Sequence, residues 1–281
     1  VTGFVTAFPT HTLRGRNWEV DLVAVQPASQ RQGIATELIK AAVEGAGGRS
    51  LDTARALAAT DNPASQRAFT KAGFTPEETL YCLLLYEIRG FVPRPLVPCP
   101  VTVRDLALST EEAGAVLRLS EGLTLSPGRS RLRSNDFSRP GARATEVATT
   151  SQVRDLLRSD DVLALASKKA NEILVAVREG EIVGFAELLY VETLLYRGIW
   201  LESLIAQGAD REIQAALISE AVERAKRKRL DEIGCLVRTR KRGMAEGAER
   251  AKNVEDHVLR EALVGQGFGV VNEYYIFRRD L

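Results

Sequence analysis

The sequence predicts an α/β (α+β) fold in which a mixed sheet flanked by helices occurs twice in tandem. Strand and helix patterns alternate along the first ninety residues, and a similar set follows a proline-rich stretch. A chain of 281 residues is long enough for two domains, and a hydrophobic content of 45% suffices for buried cores. We therefore expect two domains of one architecture.

The first strand and helix predict an anion-binding loop between them. Residues 18–25 contain β-branched residues in rough alternation, and this strand must end before Pro27 because proline cannot continue a ladder. An apolar stripe of helical period begins at Ile34. The first amides of a helix lack intrahelical partners and carry partial positive charge, Gly33 permits close approach, and Arg31 adds a full charge. The loop is therefore suited to a phosphate group.

The glycine spacing of this loop matches neither the P-loop nor the dinucleotide-binding fingerprint. Residues 30–35, Gln-Arg-Gln-Gly-Ile-Ala, instead resemble the Gln/Arg-x-x-Gly-x-Gly/Ala signature of the GNAT superfamily of acyl-CoA-dependent N-acyltransferases. Residues 62–74 are similar to a second segment of that family, Asn-x-x-Ala/Ser followed by Tyr-x-Lys-x-Gly-Phe. With both motifs in order across most of residues 18–88, the first domain is identified as GNAT-like.

The resemblance implies that acetyl-CoA is the cosubstrate and that the loop holds its diphosphate. Backbone groups of the preceding strand, splayed by a bulge, would bond the pantetheine arm, and the Val25 N–H would polarise the thioester carbonyl. The cofactor-binding residues expected on this basis are Val23, Ala24, Val25, Gln30, Arg31, Gln32, Gly33, Ile34, Ala35, Asn62 and Phe69.

The catalytic candidates are less strongly indicated than the loop. Glu19 lies six residues before Val25, where some family members carry a general base, and Asp21 shares its strand face. For both, the alternative is a solvated carboxylate at a strand edge. The family's second motif often supplies a tyrosine that protonates the leaving thiolate, but this chain has Phe69 there. Tyr81 or Tyr86 is a substitute, with packing as the alternative role.

The second domain repeats the pattern without the anion-contacting residues. Gly3-Phe4 recurs as Gly184-Phe185, the helix from Ile34 to Ala46 aligns on 213–225, and Gly73-Phe74 matches Gly267-Phe268. In this alignment Gln30 becomes Ala209, Gly33 becomes Glu212 and Ala35 becomes Gln214. An acidic side chain where a diphosphate would rest repels it. We expect the second domain to keep the fold without ordinary CoA binding, unless a shifted loop restores it.

The domain boundaries follow from the proline-rich residues 91–100, which are interpreted as a linker between domains 1–90 and 101–281. Within the second domain we predict helices at 111–120 and 152–159 and a mobile loop at 126–150. The repeat also implies that the first domain lacks its first strand and helices. Either the start is truncated, or another segment or a second subunit in a homodimer takes that place.

Composition excludes several other classes of function. Cys82, Cys99, Cys235 and the two histidines show neither a disulfide framework nor zinc-ligand spacing, and Cys82 falls in an apolar strand pattern. A net charge of +1 provides no global field for nucleic acid or membrane. The absence of a long apolar run or signal pattern leads us to expect a soluble, cytoplasmic protein.

Two basic clusters remain, at 224–229 and 238–242. The first suits a helix C-terminus, where cations complement the dipole, and the alternative is a patch for RNA or an acidic protein. The function predicted from the sequence is acetyl-CoA-dependent N-acetylation of an amine on a protein, polyamine or small metabolite. The alternative is a non-catalytic acyl-CoA sensor or RNA-associated protein.

Overall fold

The computed structural model describes residues 1–88, 101–120, 162, 164, 170–241 and 254–281, and it shows a mixed α/β fold. The described strands are β1 Gly3–Thr12, β2 Gly15–Val25, β3 Thr53–Ala59, β4 Thr75–Glu87, β5 Thr102–Asp105, β6 Asn171–Arg178, β7 Glu181–Glu192, β8 Arg197–Ala206, β9 Glu232–Lys241 and β10 Gly269–Asp280. The described helices are α1 Ile34–Glu44, α2 Pro63–Lys71, α3 Thr110–Leu119, α4 Arg211–Arg227 and α5 Val254–Gly265.

All ten strands form one sheet, in the order β1-β2-β3-β10-β4-β9-β8-β7-β6-β5. The pairs β2/β3 and β8/β9 are parallel, and the other pairs are antiparallel. The N-terminal half (residues 1–88) and the C-terminal half (residues 101–281) are interleaved in this sheet. Strand β10 lies between β3 and β4, and β4 pairs with β9. The last strand of each half therefore completes the sheet of the other.

The parallel pair of the N-terminal half separates before its strands end. Strands β2 and β3 are paired only from Asn17–Thr53 to Val20–Ala56, although β2 continues to Val25. The register with β1 also shifts between the pairs Val5–Val23 and Ala7–Val20, which marks a bulge in β2. The bulge that the sequence analysis expected therefore lies directly before the residues assigned to the pantetheine arm. Beyond Val20, the end of β2 has no pairing with β3.

The C-terminal half repeats this geometry. Strands β8 and β9 pair from Gly198–Glu232 to Leu201–Cys235 and then separate, and the register of β8 with β7 shifts between Ser203 and Leu201. Each half therefore has a parallel pair that opens toward the helix that follows.

Matched glycines occupy matched positions in the two halves. A Cβ on Gly3 would lie 2.8 Å from the Ala24 carbonyl oxygen and 3.2 Å from Leu38, and one on Gly184 would lie 2.9 Å from the Ile205 carbonyl oxygen and 3.4 Å from Leu217. In each half a strand therefore crosses its helix too closely for a side chain.

The helix ends also match. Helices α2 and α5 are followed by Gly73 and Gly267 at φ +88° and +100°. The next amide, of Phe74 or Phe268, donates to a carbonyl five residues back. Both ends are left-handed C-caps that require glycine.

The sheet is curved enough to bring the two halves together on one face. Arg55 on β3 contacts Glu202 on β8, and the turn between β1 and β2 reaches β6 and β7. Leu13 in that turn is fully buried in a cluster with residues of α3, β6 and β7, including Val116 and Phe185. The N-terminal half is thus anchored in the core of the C-terminal half.

Some predictions fall outside the described residues, namely the linker 91–100, the helix 152–159 and the loop 126–150. The helix predicted at 111–120 is observed as α3, one residue earlier. Cys82 and Cys235 are buried free thiols, and burial raises the pKa of Cys235 to about 12. Within the described ranges no helix combines the length and apolarity needed to cross a bilayer.

Candidate active site

The loop between β2 and α1 presents backbone amides at the start of the helix. A short 3₁₀ turn at Pro27–Ser29 follows β2, Arg31 has φ +62°, and Gly33 precedes α1 at φ +84°. No side chain caps this helix. The first amides of α1 are therefore available to a ligand, because a helix start has no backbone partners for them.

A cavity of about 520 Å³, here called the loop cavity, lies between this loop, the end of β2 and helix α2. Its lining residues are Val23, Val25, Ser29, Gln30, Arg31, Gly33, Ile34, Ala35, Thr36, Ile39, Asn62, Ala64, Ser65, Arg67, Ala68 and Lys71. Among these described residues three are cations and none is a carboxylate. The charged groups of the cavity are therefore complementary to an anion.

Most of the predicted cofactor-binding residues line the loop cavity. Those that do are Val23, Val25, Gln30, Arg31, Gly33, Ile34, Ala35 and Asn62. Ala24, Gln32 and Phe69 do not line it. Gln32 is exposed on the loop, and Phe69 is 3% exposed in an aromatic cluster with Phe74 and Phe277.

Ladder alternation explains why Ala24 differs from its neighbours. The Gln26 N–H donates to the Thr2 carbonyl, so Ala24, two residues earlier, also directs its backbone groups toward β1. Val23 and Val25 direct theirs toward the gap left by β3. The Gln30 side chain donates to the Val25 carbonyl at 3.3 Å, which is consistent with this direction. Two residues of the predicted three therefore offer backbone groups to the cavity.

The second motif forms the opposite wall. Asn62 caps α2 by accepting the Ser65 N–H at 3.0 Å, which gives it a structural role beside its position in the cavity. Sequence reasoning missed Arg67 and Lys71, which lie one helical turn apart on the cavity side of α2. Their i, i+4 spacing after the cap was the available signal.

The two candidate carboxylates line a different cavity, here called the inter-half cavity, of about 150 Å³. Glu19 is held by Arg55, whose Nε lies 2.9 Å from both of its carboxylate oxygens, and it accepts from Thr10 at 2.7 Å. Arg55 also donates to Glu202 at 2.8 Å. Burial opposes the charge of Arg55, yet its ion pairs with the two glutamates raise its pKa. Such pairing argues against Glu19 as a free base.

Tyr81 lies away from both of these cavities. Its hydroxyl donates to Glu77 at 2.8 Å, and burial together with that carboxylate raises its pKa well above the usual range. It lines a third cavity, the C-terminal cavity, of about 570 Å³ between β8, β9 and the start of α5. Tyr86 is fully buried against Phe268. Neither tyrosine lines the loop cavity.

The helix start in the C-terminal half is already occupied by a side chain. The Asp210 carboxylate accepts the N–H groups of Glu212 and Ile213 at 2.8 and 3.3 Å, and Arg178 donates to it at 3.2 Å. Partial burial opposes the charge, but these hydrogen bonds lower the pKa of Asp210. The amides that are open at α1 are therefore satisfied at α4 by an internal anion.

The first basic cluster is largely paired with carboxylates. Arg224 contacts Asp105, Glu172 and Glu220, and Lys228 contacts Glu172 at 2.9 Å. These pairs favour the interpretation as a stabilised helix end. In the second cluster Arg238 lies 3.8 Å from Asp256, while Arg242 falls outside the described residues.

The comparison with known families agrees with this geometry. The sequence model described as "Acetyltransferase (GNAT) family" matches residues 1–74, which contain β1, β2, the loop, α1 and α2. Over this segment the chain matches the GNAT family. Acyl transfer to an amine is the activity that this match suggests. No protein of curated function matches the sequence significantly.

One solved structure shows a similar fold over nearly the whole chain, and two others align with the chain at lower TM-scores. A GCN5-related N-acetyltransferase from Sphaerobacter thermophilus is 18% identical, with 98% of this chain and 76% of that one covered and a TM-score of 0.50. A tandem GNAT protein from the clavulanic acid biosynthesis pathway is 15% identical, with coverages of 94% and 75% and a TM-score of 0.46. A putative acetyltransferase from Pyrococcus horikoshii is 15% identical, with coverages of 100% and 70% and a TM-score of 0.47.

Proposed function

We propose that this chain is an N-acetyltransferase that binds acetyl-CoA in the loop cavity and transfers the acetyl group to an amine. The observation that carries the proposal is the uncapped start of α1 inside a cavity with three cations and no acid among its described lining residues. Coenzyme A carries a diphosphate and a further phosphate, so the residues present fit it. Acetyl-CoA supplies the activated acyl group when bound.

Each wall of the loop cavity has a separate task in this proposal. The amides at the start of α1 bind the diphosphate, aided by Arg31, and Arg67 and Lys71 attract the remaining phosphate charge. The backbone groups of Val23 and the Val25 N–H, which have no partner on β3, bond the pantetheine arm as a third strand would. The Val25 N–H then polarises the thioester carbonyl, where negative charge develops during transfer.

We also propose that the two halves are GNAT-like repeats of which only the N-terminal one binds the coenzyme. The matched glycines, the two separating parallel pairs and the two left-handed helix caps support the repeat. Asp210 supports the difference in function, because its carboxylate occupies the amides that a diphosphate would need. The C-terminal half then serves to complete the sheet and to present the acceptor.

Calorimetry with acetyl-CoA tests the site, using Gly33→Glu and Gly48→Glu as a matched pair. Both glycines have positive φ, +84° and +77°, and a Cβ at either would meet nothing within 4 Å. Both substitutions add the same charge and similar backbone strain, at opposite ends of α1. We expect Gly33→Glu to weaken binding at least 100-fold and Gly48→Glu to leave it unchanged.

Equal affinities for the two variants would refute the loop cavity as the coenzyme site. Melting temperatures of both variants control for folding, since strain alone should lower them alike. No binding of acetyl-CoA by the unsubstituted chain would exclude the enzyme and the acyl-CoA sensor together.

The competing function is acyl-CoA sensing without catalysis, and one observation favours it. The family's tyrosine position is Phe69, which is buried and has no proton to donate to a leaving thiolate. Release of free thiol on addition of amines separates the two functions. Binding without thiol release across protein, polyamine and small amine acceptors would favour the sensor.

A further inference from the structure

The inter-half cavity lies between the two halves of the chain, on the sheet face that carries Glu19 and Asp21. The N-terminal half contributes these two carboxylates with Phe8, Arg55 and Leu57. Strands β7 and β8 and the turn between them contribute most of the other wall, which includes Leu189, Val191, Tyr196 and Trp200. The C-terminal half thus covers a site whose charged groups come from the N-terminal half.

The inter-half cavity and the loop cavity both reach the point where strands β2 and β3 separate. Strands β2 and β3 separate after the pair Val20–Ala56, and both of these residues line the inter-half cavity. Val23, three residues further along β2, lines the loop cavity. The side chain of Val20 packs in a core cluster with Ile39, which lines the loop cavity, and the side chain of Asp21 lies on the opposite face because neighbouring residues of a strand alternate. The two cavities therefore approach the parting of the strands from opposite faces of the sheet.

The polar end of the inter-half cavity carries excess negative charge. Its charged lining residues are Glu19, Asp21 and Arg55, and the guanidinium of Arg55 is already bonded to Glu19 and to Glu202, which does not line the cavity. Asp21 has only a 3.3 Å hydrogen bond from Thr6 and no ion pair among the described residues. Asp21 is exposed, so its carboxylate is accessible to an incoming ammonium group.

The rest of the described lining is mostly apolar. Trp200, Tyr196 and the aliphatic residues of β7 face Phe8 and Leu57 across about 150 Å³. An apolar cavity of about that volume accommodates benzene in an engineered protein. A group of roughly one aromatic ring therefore fits in the apolar part of this cavity.

We propose that the inter-half cavity takes the acceptor, a small primary amine that carries one apolar group of about the size of an aromatic ring. Asp21 binds the ammonium group and the β7–β8 wall packs on the apolar group. The proposal rests on the proposed function, because it needs acetyl-CoA in the loop cavity. This proposal narrows the acceptor from any amine to small primary amines with one apolar group.

The reaction balances with these two substrates alone. The amine nitrogen forms a bond to the acetyl carbonyl carbon, and the carbon–sulfur bond of the thioester breaks with its electron pair on sulfur. The ammonium loses two protons in total. One ends on the leaving thiolate and the other passes to solvent, so the products are the amide, free coenzyme thiol and one proton.

The test compares 2-phenylethylamine, spermidine and a lysine-containing peptide as acceptors, with thiol release as the readout and acetyl-CoA binding measured separately by calorimetry. We expect kcat/KM for 2-phenylethylamine to exceed the other two at least tenfold. Asp21→Asn should lower that value at least tenfold while leaving acetyl-CoA affinity unchanged. Glu44→Gln is the control, because it neutralises an exposed carboxylate at the C-terminal end of α1. It should change neither kcat/KM nor the affinity for acetyl-CoA.

A second variant tests the volume of the cavity. Val191 is half-buried on its wall, so Val191→Phe adds a ring to the space without opening the main core. It should raise KM for 2-phenylethylamine at least tenfold with the melting temperature nearly unchanged. Spermidine or the peptide as the best acceptor, or full activity of Asp21→Asn, would overturn this inference alone. Failure to bind acetyl-CoA would overturn the proposed function with it.

Discussion

Single side chains decide which of the two helix starts is open to a ligand. Position 33 is glycine and the α1 amides are free of a side-chain cap, whereas the Asp210 carboxylate closes the start of α4. The same fold element is thus a binding site in one half and an internally satisfied terminus in the other. The difference lies in the cap rather than in the helix.

Removal of this cap has a predictable cost. Asp210→Ala should lower the free energy of unfolding by about 1 kcal/mol, the usual value of an N-cap, as measured by urea denaturation at pH 7. Because its folded pKa is lowered, Asp210 stabilises the protein above its unfolded pKa, and this contribution disappears as pH falls through the folded value. The difference in the free energy of unfolding between the unsubstituted protein and Asp210→Ala should therefore vanish in acid. A difference that persists there would contradict the assignment.

Glu187 has the opposite pH dependence. It is fully buried between the Leu13 N–H, at 2.9 Å, and Ser203, and burial together with the charge of Glu202 raises its pKa to about 8. A raised folded pKa means that stability is present below the unfolded value and is lost as pH rises toward 8. The melting temperature should therefore fall more between pH 6 and pH 9 in the unsubstituted protein than in Glu187→Gln. Equal slopes would show that Glu187 is already ionised.

At the scale of elements, the two hairpin turns offer a matched comparison. Leu13 in the β1–β2 turn is fully buried against α3, while Leu194 in the β7–β8 turn is 67% exposed. Leu13→Ala should destabilise the protein by about 2–5 kcal/mol because it leaves a cavity. Leu194→Ala should change stability by less than about 0.5 kcal/mol. Chemical denaturation measures both, and equal effects would contradict the packing described for the β1–β2 turn.

The local elements of the site were largely predictable from the sequence. The loop, the start of α1 at Ile34 and the cap at Asn62 follow from proline, helical period and capping chemistry, which act over a few residues. The direction of the Ala24 backbone groups was not predictable, because it depends on which β1 residue pairs with Gln26. The pairing of Glu19 with Arg55 and Glu202 was not predictable either, since it joins residues 36 and 147 positions apart. Contacts across strands leave no pattern in a single sequence.

At the scale of the whole molecule, the interleaved strands couple the halves. The sequence predicted separate units at 1–90 and 101–281, but β10 lies between β3 and β4, and β4 pairs with β9. Composition and spacing contain no signal for such an exchange, because either half supplies a suitable apolar strand. The linker position says nothing about which sheet the next strand joins.

This coupling predicts a single unfolding transition. The two tryptophans, Trp18 and Trp200, lie in different halves, so Trp18→Phe and Trp200→Phe each leave one fluorescent probe. If β10 and β4 join the halves into one cooperative unit, each variant should unfold at one urea concentration. The midpoint from its remaining tryptophan should then equal the midpoint from circular dichroism of the same variant. A urea midpoint from tryptophan fluorescence that differs clearly from the midpoint from circular dichroism would show that the halves unfold independently.

The most direct test of the coenzyme assignment is the position of bound coenzyme A in a crystal structure of the complex. Its diphosphate oxygens should lie within hydrogen-bonding distance of the amides that begin α1, close to Gly33. No diphosphate should lie at the start of α4, where Asp210 occupies the amides. A diphosphate at residues 207–213, with the loop after β2 empty, would contradict the account.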